Sequence, residues 1–160
     1  MNNLGGLCMW LGLAALCISS IGYLFLLLKP DPVGIKTTAR LGFTAFTACV
    51  TVASISLMLS ILGNEFVFSY VARYSSRDLP LIYRVSSFWA GQEGSFLLWV
   101  FLGAWLGLFL ILQSGRQEPR VMLVYNLSNL FLVILLIKQS PFHLLPVAPA
   151  DGNGMNMLLQ

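Results

Sequence analysis

A glutamate stands at the edge of a long apolar segment, among glycines and tryptophans. Glu93 lies between Gly91 and Gly94, and Trp89 and Trp99 flank this group. A carboxylate at a membrane boundary is costly unless water, a cation or a helix N-terminus stabilises it. One interpretation is the first turn of a membrane helix, with the tryptophans at headgroup depth. The other is a functional surface, because glycines allow a flat ligand or a second backbone to come close.

The polar connection before this stretch, 64–87, carries three arginines among aromatic residues. Arg73, Arg77 and Arg84 could each bind an acidic group of a ligand, because guanidinium forms bidentate hydrogen bonds with carboxylates. A mixture of basic and aromatic residues is also typical of a belt at the depth of the lipid headgroups. Aromatic residues alternate with other residues from 66 to 70, which predicts a short extended segment.

Cysteine and histidine offer little redox or metal chemistry. Cys8, Cys17 and Cys49 lie in apolar segments, and the sequence has neither a metal-ligand spacing nor a CxxCH haem-attachment motif. The protein is therefore not itself a c-type cytochrome. His143 is the single histidine and lies in a proline-rich segment, which is typical of a surface residue, and no ligand role is assigned to it. The basic residues are scattered, so no nucleic-acid surface is predicted.

These residues belong to a strongly apolar chain. Of its 160 residues, 58% are hydrophobic and 9% are charged, and the mean hydropathy is +0.82, whereas about a quarter of a soluble domain is charged. The first apolar segment is expected to be a membrane helix rather than a secretory signal, because no lysine or arginine precedes it and it is longer than a normal signal core. The sequence predicts an all-α integral membrane protein with four transmembrane helices, at about 7–28, 41–63, 95–112 and 121–137.

Polar and small residues within the spans predict contacts between the helices. The second span is rich in threonine, serine and alanine, and Gly103 and Gly107 give the third a GxxxG spacing. Asn126 and Asn129 share one face of the fourth span, where they need partners in the hydrocarbon. Lining of a pore is the alternative for the second span. No ionisable residue falls inside the four predicted spans, whereas several would favour a transporter.

Orientation follows from the basic residues. The connections after the first and third spans hold five of them, and the other side holds four. The larger set lies in the shorter loops, which favours the cytoplasmic side for them. Both termini are therefore expected outside, together with outer loops 64–94 and 138–160. Proline spacing and the turn signal Asp151–Gly152 predict an ordered, non-helical segment in the second of these loops.

Two stretches carry a family resemblance. The segment 74–84 and the motif W-x-G-x-E-G-S-x-L-L-W at 89–99 resemble the N-terminal region of the CcmF/NrfE family of cytochrome c biogenesis proteins. The tail is similar to the family in the same order, at 140–142, 149–152 and 156–160. The order of spans and loops matches along essentially the whole chain. Met157 departs from the proline that the family usually has there, which is a small local change.

The resemblance implies a membrane protein that handles haem. Family members take b-type haem from a haem chaperone and support its covalent attachment to the CxxCH cysteines of apocytochrome c. This takes place on the outer side of the bacterial inner membrane, with other cytochrome c maturation subunits. The family's tryptophan-rich WWD segment and haem-ligating histidines lie beyond this chain, so residues 1–160 are expected to be a fragment or one piece of a split protein. The remainder of the protein is then a partner within the bilayer.

On this basis, the chain is expected to contribute an outer surface for haem or its chaperone, formed by Trp89, Gly91, Glu93, Gly94, Trp99, Arg73, Arg77 and Arg84. His143 matches no family ligand position, and the haem ligands are expected outside this chain. The chain alone is expected to be inactive as a haem lyase and to bind haem poorly. A small transporter or channel subunit and a structural assembly subunit without a ligand are the alternative functions.

Overall fold

The computed structural model describes residues 3–29 and 33–154 and confirms an all-α membrane fold. Four of its helices are long and apolar enough to cross a membrane. The proline-containing break at 30–32 and the tail motif at 156–160, with Met157, lie outside the described residues. The helices in chain order are α1 (Leu4–Leu28), α2 (Val33–Leu62), α3 (Ser69–Tyr74), α4 (Leu81–Ser86), α5 (Gln92–Gln113) and α6 (Glu118–Lys138), with a single 3₁₀ turn, Gly115–Gln117, before α6.

All four long helices begin earlier than the hydropathy pattern predicted. Helix α2 begins at Val33 and therefore includes Lys36 and Arg40, and α6 begins at Glu118. The observed helices therefore include ionisable residues that the predicted spans left out, Lys36, Arg40 and Glu118 among them, and these residues lie near the helix ends. Hydropathy separates charged from apolar residues, but a helix continues through charged residues when their charges are neutralised. Here the carboxylate of Glu118 contacts both cations of α2 and compensates part of their charge.

The four long helices form a bundle in which α1 and α5 each pack against both α2 and α6. Small residues bring the helices close together. A side chain at Gly42 of α2 would meet the Ala15 carbonyl of α1 at 2.9 Å, and one at Gly107 would meet the Phe43 ring. The core between the helices is filled by fully buried side chains, including Leu16, Phe43, Phe46, Leu57, Leu97 and Met122.

Asn126 and Thr47 bind other helices, whereas Asn129 donates to a carbonyl of its own helix. Asn126 of α6 donates from Nδ2 to the hydroxyl of Ser19 on α1 at 3.0 Å. Thr47 of α2 lies 3.0 Å from the Phe43 carbonyl of its own helix and 3.3 Å from the Ala104 carbonyl of α5. The second span is therefore in contact with other helices on its hydroxyl-rich face.

One end of the bundle carries the connecting segments 64–91 and 139–154, which together are called the platform. An antiparallel bridge joins Phe68 to Leu144, and the Ser69 N–H donates to the His143 carbonyl at 2.8 Å. The extended segment predicted over 66–70 is limited to this bridge, because α3 begins at Ser69. The side-chain amide of Asn3 donates to the Phe142 carbonyl at 3.1 Å. The start of α1 and the end of α6 therefore lie at the platform together.

The final part of the platform lies across α3. The Asn153 N–H donates to the Ala72 carbonyl at 2.8 Å, and the Gly154 N–H donates to the Ser75 carbonyl at 3.2 Å. The carboxylate of Asp151 accepts the backbone N–H of Arg77 at 3.1 Å. Segment 151–154 is thus held by backbone hydrogen bonds in a non-helical conformation next to the arginines of the first loop.

Candidate functional site on the platform

A buried tyrosine positions the start of α5. The hydroxyl oxygen of Tyr70 lies 2.9 Å from the Ser87 carbonyl and 3.1 Å from the Phe88 carbonyl, and it accepts the Gly91 N–H at 3.1 Å. Tyr70 is 1% exposed. Burial is the main cause that raises the pKa of Tyr70 above the ordinary value, so its hydroxyl stays protonated and acts as a donor. This single side chain therefore fixes the turn that leads into Glu93.

Both glycines of the motif pack against tyrosines of the platform. A side chain at Gly94 would collide with the Phe88 carbonyl and with the hydroxyl of Tyr70, and one at Gly91 would collide with the ring of Tyr74. Both glycines are buried. The close approach that the glycines allow is thus used by Tyr70 and Tyr74 of the same chain.

Glu93 and Arg73, which are twenty positions apart, come together on the platform. Arg73 Nη1 lies 3.4 Å from the Glu93 carboxylate, and their side chains are 56% and 20% exposed. The guanidinium also lies over the Tyr74 ring, with 5.9 Å between the guanidinium carbon and the ring centroid. A pair this exposed contributes at most about 1 kcal/mol to folding, so Arg73 can exchange Glu93 for another anion at little cost.

The other two arginines have separate contacts. Arg77 is exposed and lies over the Phe66 ring, with 5.8 Å from the guanidinium carbon to the centroid. Arg84 is partly buried and donates from Nη2 to the carbonyl of Leu62, the last residue of α2. A cation at this position satisfies a free carbonyl and interacts favourably with the negative end of the helix. Arg84 therefore stabilises the end of α2, whereas Arg73 and Arg77 are exposed.

The two tryptophans of the motif differ in their surroundings. Trp89 is 48% exposed, and with Phe88 it lines a groove of about 350 Å³ between α2 and α5. Apart from these two rings, the groove is lined by Thr51, Ser54, Ile55, Met58, Leu98 and Phe101. Trp99 is 64% exposed on α5, outside this groove. The structure thus places Trp89 between the polar platform and an apolar surface, and Trp99 on the surface of the bundle.

Sequence reasoning missed a second polar cluster, at the opposite end of the bundle. The Glu118 side chain is fully buried and accepts from Tyr23 Oη at 3.0 Å, Arg40 Nε at 2.7 Å and Arg40 Nη2 at 2.6 Å. Lys36 Nζ lies 3.1 Å from the same carboxylate. The signal was the spacing of four between Lys36 and Arg40, which places both cations on one face of a helix. The hydropathy pattern places both residues in a loop, where a spacing of four does not bring two side chains to one face.

The remaining candidates for metal chemistry stay apart. His143 is exposed, and its backbone carbonyl takes part in the bridge to the first loop. Within residues 3–29 and 33–154, no group of three or more His, Cys, Asp or Glu side chains could hold a metal ion. All three cysteines are free thiols, and Cys8 is buried.

A bundle of four membrane-spanning helices with a polar platform at one end defines a polytopic α-helical membrane protein. No family model matches the chain. The chain is 32% identical to the cytochrome c-type biogenesis protein CcmF of Escherichia coli, over 98% of this chain and 25% of that protein. It is 34% identical to the cytochrome c-type biogenesis protein NrfE of Haemophilus influenzae, over 85% of this chain and 22% of that protein.

A solved structure agrees with these relatives. The cytochrome c heme lyase CcmF superimposes with a TM-score of 0.78 and 25% identity, over 89% of this chain and 25% of that one. The chain belongs to the CcmF/NrfE family of cytochrome c-type biogenesis proteins. It spans a quarter or less of the length of these relatives.

Proposed function

We propose that this chain forms part of a membrane haem lyase of cytochrome c maturation, and that it corresponds to the N-terminal portion of that enzyme. The observation that carries the proposal is the similarity along 98% of the chain to a cytochrome c-type biogenesis protein. The fold of a solved cytochrome c heme lyase supports it. The chain acts only with the remainder of the protein, which supplies the ligands of the haem iron.

Haem is the substrate that the platform is proposed to contact, as b-type haem before its covalent attachment. The exposed ring of Trp89 can stack on the flat macrocycle. Arg73 and Arg77 are exposed and can form bidentate hydrogen bonds with the propionates. Gly91 and Gly94 act indirectly, because their lack of a side chain lets Tyr70 and Tyr74 hold the Trp89 turn in place. Arg84 acts in the same way through the end of α2.

Iron ligation sets a limit on what this chain contributes. Haem iron in proteins is held by imidazole, thiolate, thioether or phenolate groups. His143 is exposed at the rim of another cleft, which it shares with Asn3, Trp10 and Ser140 and not with Trp89. His143 is therefore not placed to ligate haem iron beside Trp89, and the axial ligands are proposed to come from the remainder of the protein.

The proposed setting is the bacterial inner membrane, with the platform and both termini on the periplasmic side. The proposed partners there are a haem chaperone, apocytochrome c and other membrane subunits of cytochrome c maturation. Arg116 and Asp78 are exposed at opposite ends of the bundle and allow a test of orientation. In intact cells, an impermeant thiol reagent should label D78C and not R116C, and the unsubstituted protein serves as the control for Cys8, Cys17 and Cys49. Labelling of R116C alone would invert the proposed orientation.

The proposed role of the platform is tested in the full-length protein in its native membrane. Trp89→Ala removes the ring that stacks on haem, and Glu93→Gln removes the anion that orients Arg73, so both should lower the yield of mature cytochrome c while the membrane level of the protein stays near normal. Trp10→Ala and Glu65→Gln are matched controls. Trp10 is 61% exposed near the same end of the bundle, and Glu65 is a partly exposed carboxylate of the same platform. If the yield of mature cytochrome c falls only in proportion to the membrane level of the variant, this surface has a structural role and does not contact haem.

A further inference from the structure

The end of the bundle opposite the platform has more positive charge than its buried acid can neutralise. Lys36 and Arg40 are 41% and 45% exposed, and both contact the single carboxylate of Glu118, which is fully buried. The other four acidic residues in the described part of the chain lie at the platform end: Glu65, Asp78, Glu93 and Asp151. Among the described residues of this cluster, two cations around one anion leave one positive charge in excess, and Asp31 of the preceding connection lies outside the described residues.

The buried carboxylate fixes the direction of both cations without using all their donors. Arg40 binds Glu118 through Nε and Nη2, so the Nη1 amino group is left for a second anion. An ammonium group has three donors, and one contact from Lys36 is directed at Glu118. The two side chains are four positions apart on α2, and they are therefore neighbours on one face of the helix.

The position of this cluster along the membrane-spanning helices shows what surrounds the excess charge. The Tyr23 hydroxyl of α1 lies 3.0 Å from Glu118, so the cluster is level with this part of α1. Beyond Tyr23, α1 continues to Leu28 with exposed apolar side chains at Leu24, Phe25, Leu27 and Leu28. The cations thus lie level with the last apolar turn of a neighbouring helix, near the border between hydrocarbon and headgroups. A charge there is costly unless an anion meets it.

We propose that Lys36 and Arg40 form a binding site for the phosphate of an anionic phospholipid headgroup, with Glu118 as the positioning residue. The phosphate accepts from Arg40 Nη1 and from Lys36, and the excess positive charge is neutralised within the bilayer border. Anionic lipids attract basic residues at a membrane surface with a free energy of about 1 kcal/mol for each cation. Loss of one of the two cations should therefore weaken binding about fivefold.

The test measures lipid retention by the purified full-length protein in detergent, by native mass spectrometry. The probes are phosphatidylglycerol and phosphatidylcholine with identical acyl chains. Lys36→Gln should weaken phosphatidylglycerol binding about fivefold, whereas Lys36→Arg should retain it. Arg116→Gln is the matched control, because Arg116 is exposed at the same end of the bundle and its substitution removes one positive charge, as Lys36→Gln does. Equal losses in K36Q and R116Q, or equal binding of the two lipids, would overturn the site.

Two further experiments test the position of the site and the kind of ligand that it binds. A photoactivatable phosphatidylglycerol bound to the unsubstituted protein should label the segment around Lys36 and Arg40, which requires no variant to fold. Equal labelling of the segment around Lys138, which is exposed at the platform end of α6, would contradict the proposal. Millimolar inorganic phosphate should leave the lipid bound, because the acyl chains also bind the apolar turn at Leu24–Leu28. Complete displacement of the lipid by inorganic phosphate would overturn the proposed lipid site and would indicate a site for soluble phosphate.

Discussion

Arg40 and Glu118 form a bidentate ion pair between helices α2 and α6, although they lie 78 positions apart in the chain. Both carboxylate oxygens are used, at 2.7 and 2.6 Å from the guanidinium nitrogens. Tyr23 of α1 donates to the same carboxylate. Three of the four long helices are therefore joined at one buried acid.

Glu118→Gln should lower the free energy of unfolding by about 1–3 kcal/mol. The substitution removes the charge that holds Arg40 and leaves buried donors without an ionised acceptor. Thermal unfolding of the purified protein in detergent measures the effect. Glu65→Gln is the comparison, since its half-exposed carboxylate accepts one local hydrogen bond, from Ser60 at the end of α2 at 2.9 Å. Equal effects of the two substitutions would show that the buried cluster has no special importance for stability.

Gly94→Ala should destabilise the platform and reduce the amount of protein in the membrane. The added methyl group would collide with the Phe88 carbonyl and the Tyr70 hydroxyl, and overpacking of this kind costs about 1–3 kcal/mol. Gly34→Ala provides the control, because a side chain there meets no atom within 4 Å. Normal abundance and normal thermal stability of G94A would mean that the turn at 88–94 relaxes readily.

Tyr70→Phe should lower the free energy of unfolding by about 1–3 kcal/mol, because the Gly91 N–H and a carbonyl of the turn lose their partner in a buried place. The substitution should also change the pH dependence. Burial raises the pKa of Tyr70 above the ordinary value of 10.0. The stability that this shift contributes is present below pH 10 and is lost as the pH rises toward the folded-state pKa.

Unfolding measured between pH 8 and 11 separates this contribution from that of other groups. The unsubstituted protein should lose stability above about pH 10, and Y70F should lose less over the same range. Tyr83→Phe is a suitable reference, since Tyr83 is a half-exposed tyrosine in the same loop. Identical pH profiles for Y70F and the unsubstituted protein would be inconsistent with a buried, hydrogen-bonded hydroxyl.

Asn126 and Ser19 should show a measurable coupling energy within the membrane. Their hydrogen bond of 3.0 Å joins α6 to α1, and both side chains are buried. Hydrogen bonds between membrane helices contribute about 0.6 kcal/mol on average and at most about 1.7 kcal/mol. A double-mutant cycle with Asn126→Ala and Ser19→Ala measures this energy by unfolding in detergent. Strict additivity of the two substitutions would exclude the bond.

The sequence alone determined the membrane character of the chain, the number of its spans and its family. These depend on local properties, since hydropathy over about twenty residues decides whether a helix can remain in hydrocarbon. The asparagines of the fourth span were also informative, because a polar side chain in that environment needs a partner wherever the partner is located. The motif at 89–99 was recognisable because it is contiguous.

Only the tertiary structure decided which residues meet. The predicted spans 95–112 and 121–137 leave Glu118 in the short connection between them, and its role depends on the order and rotation of three helices that bring Lys36 and Arg40 to it. Gly91 and Gly94 were expected to leave space for a ligand, but Tyr70 and Tyr74 occupy the space beside them. Periodicity shows which face of a helix is polar or small, whereas the partner of that face is set by packing between segments distant in the chain.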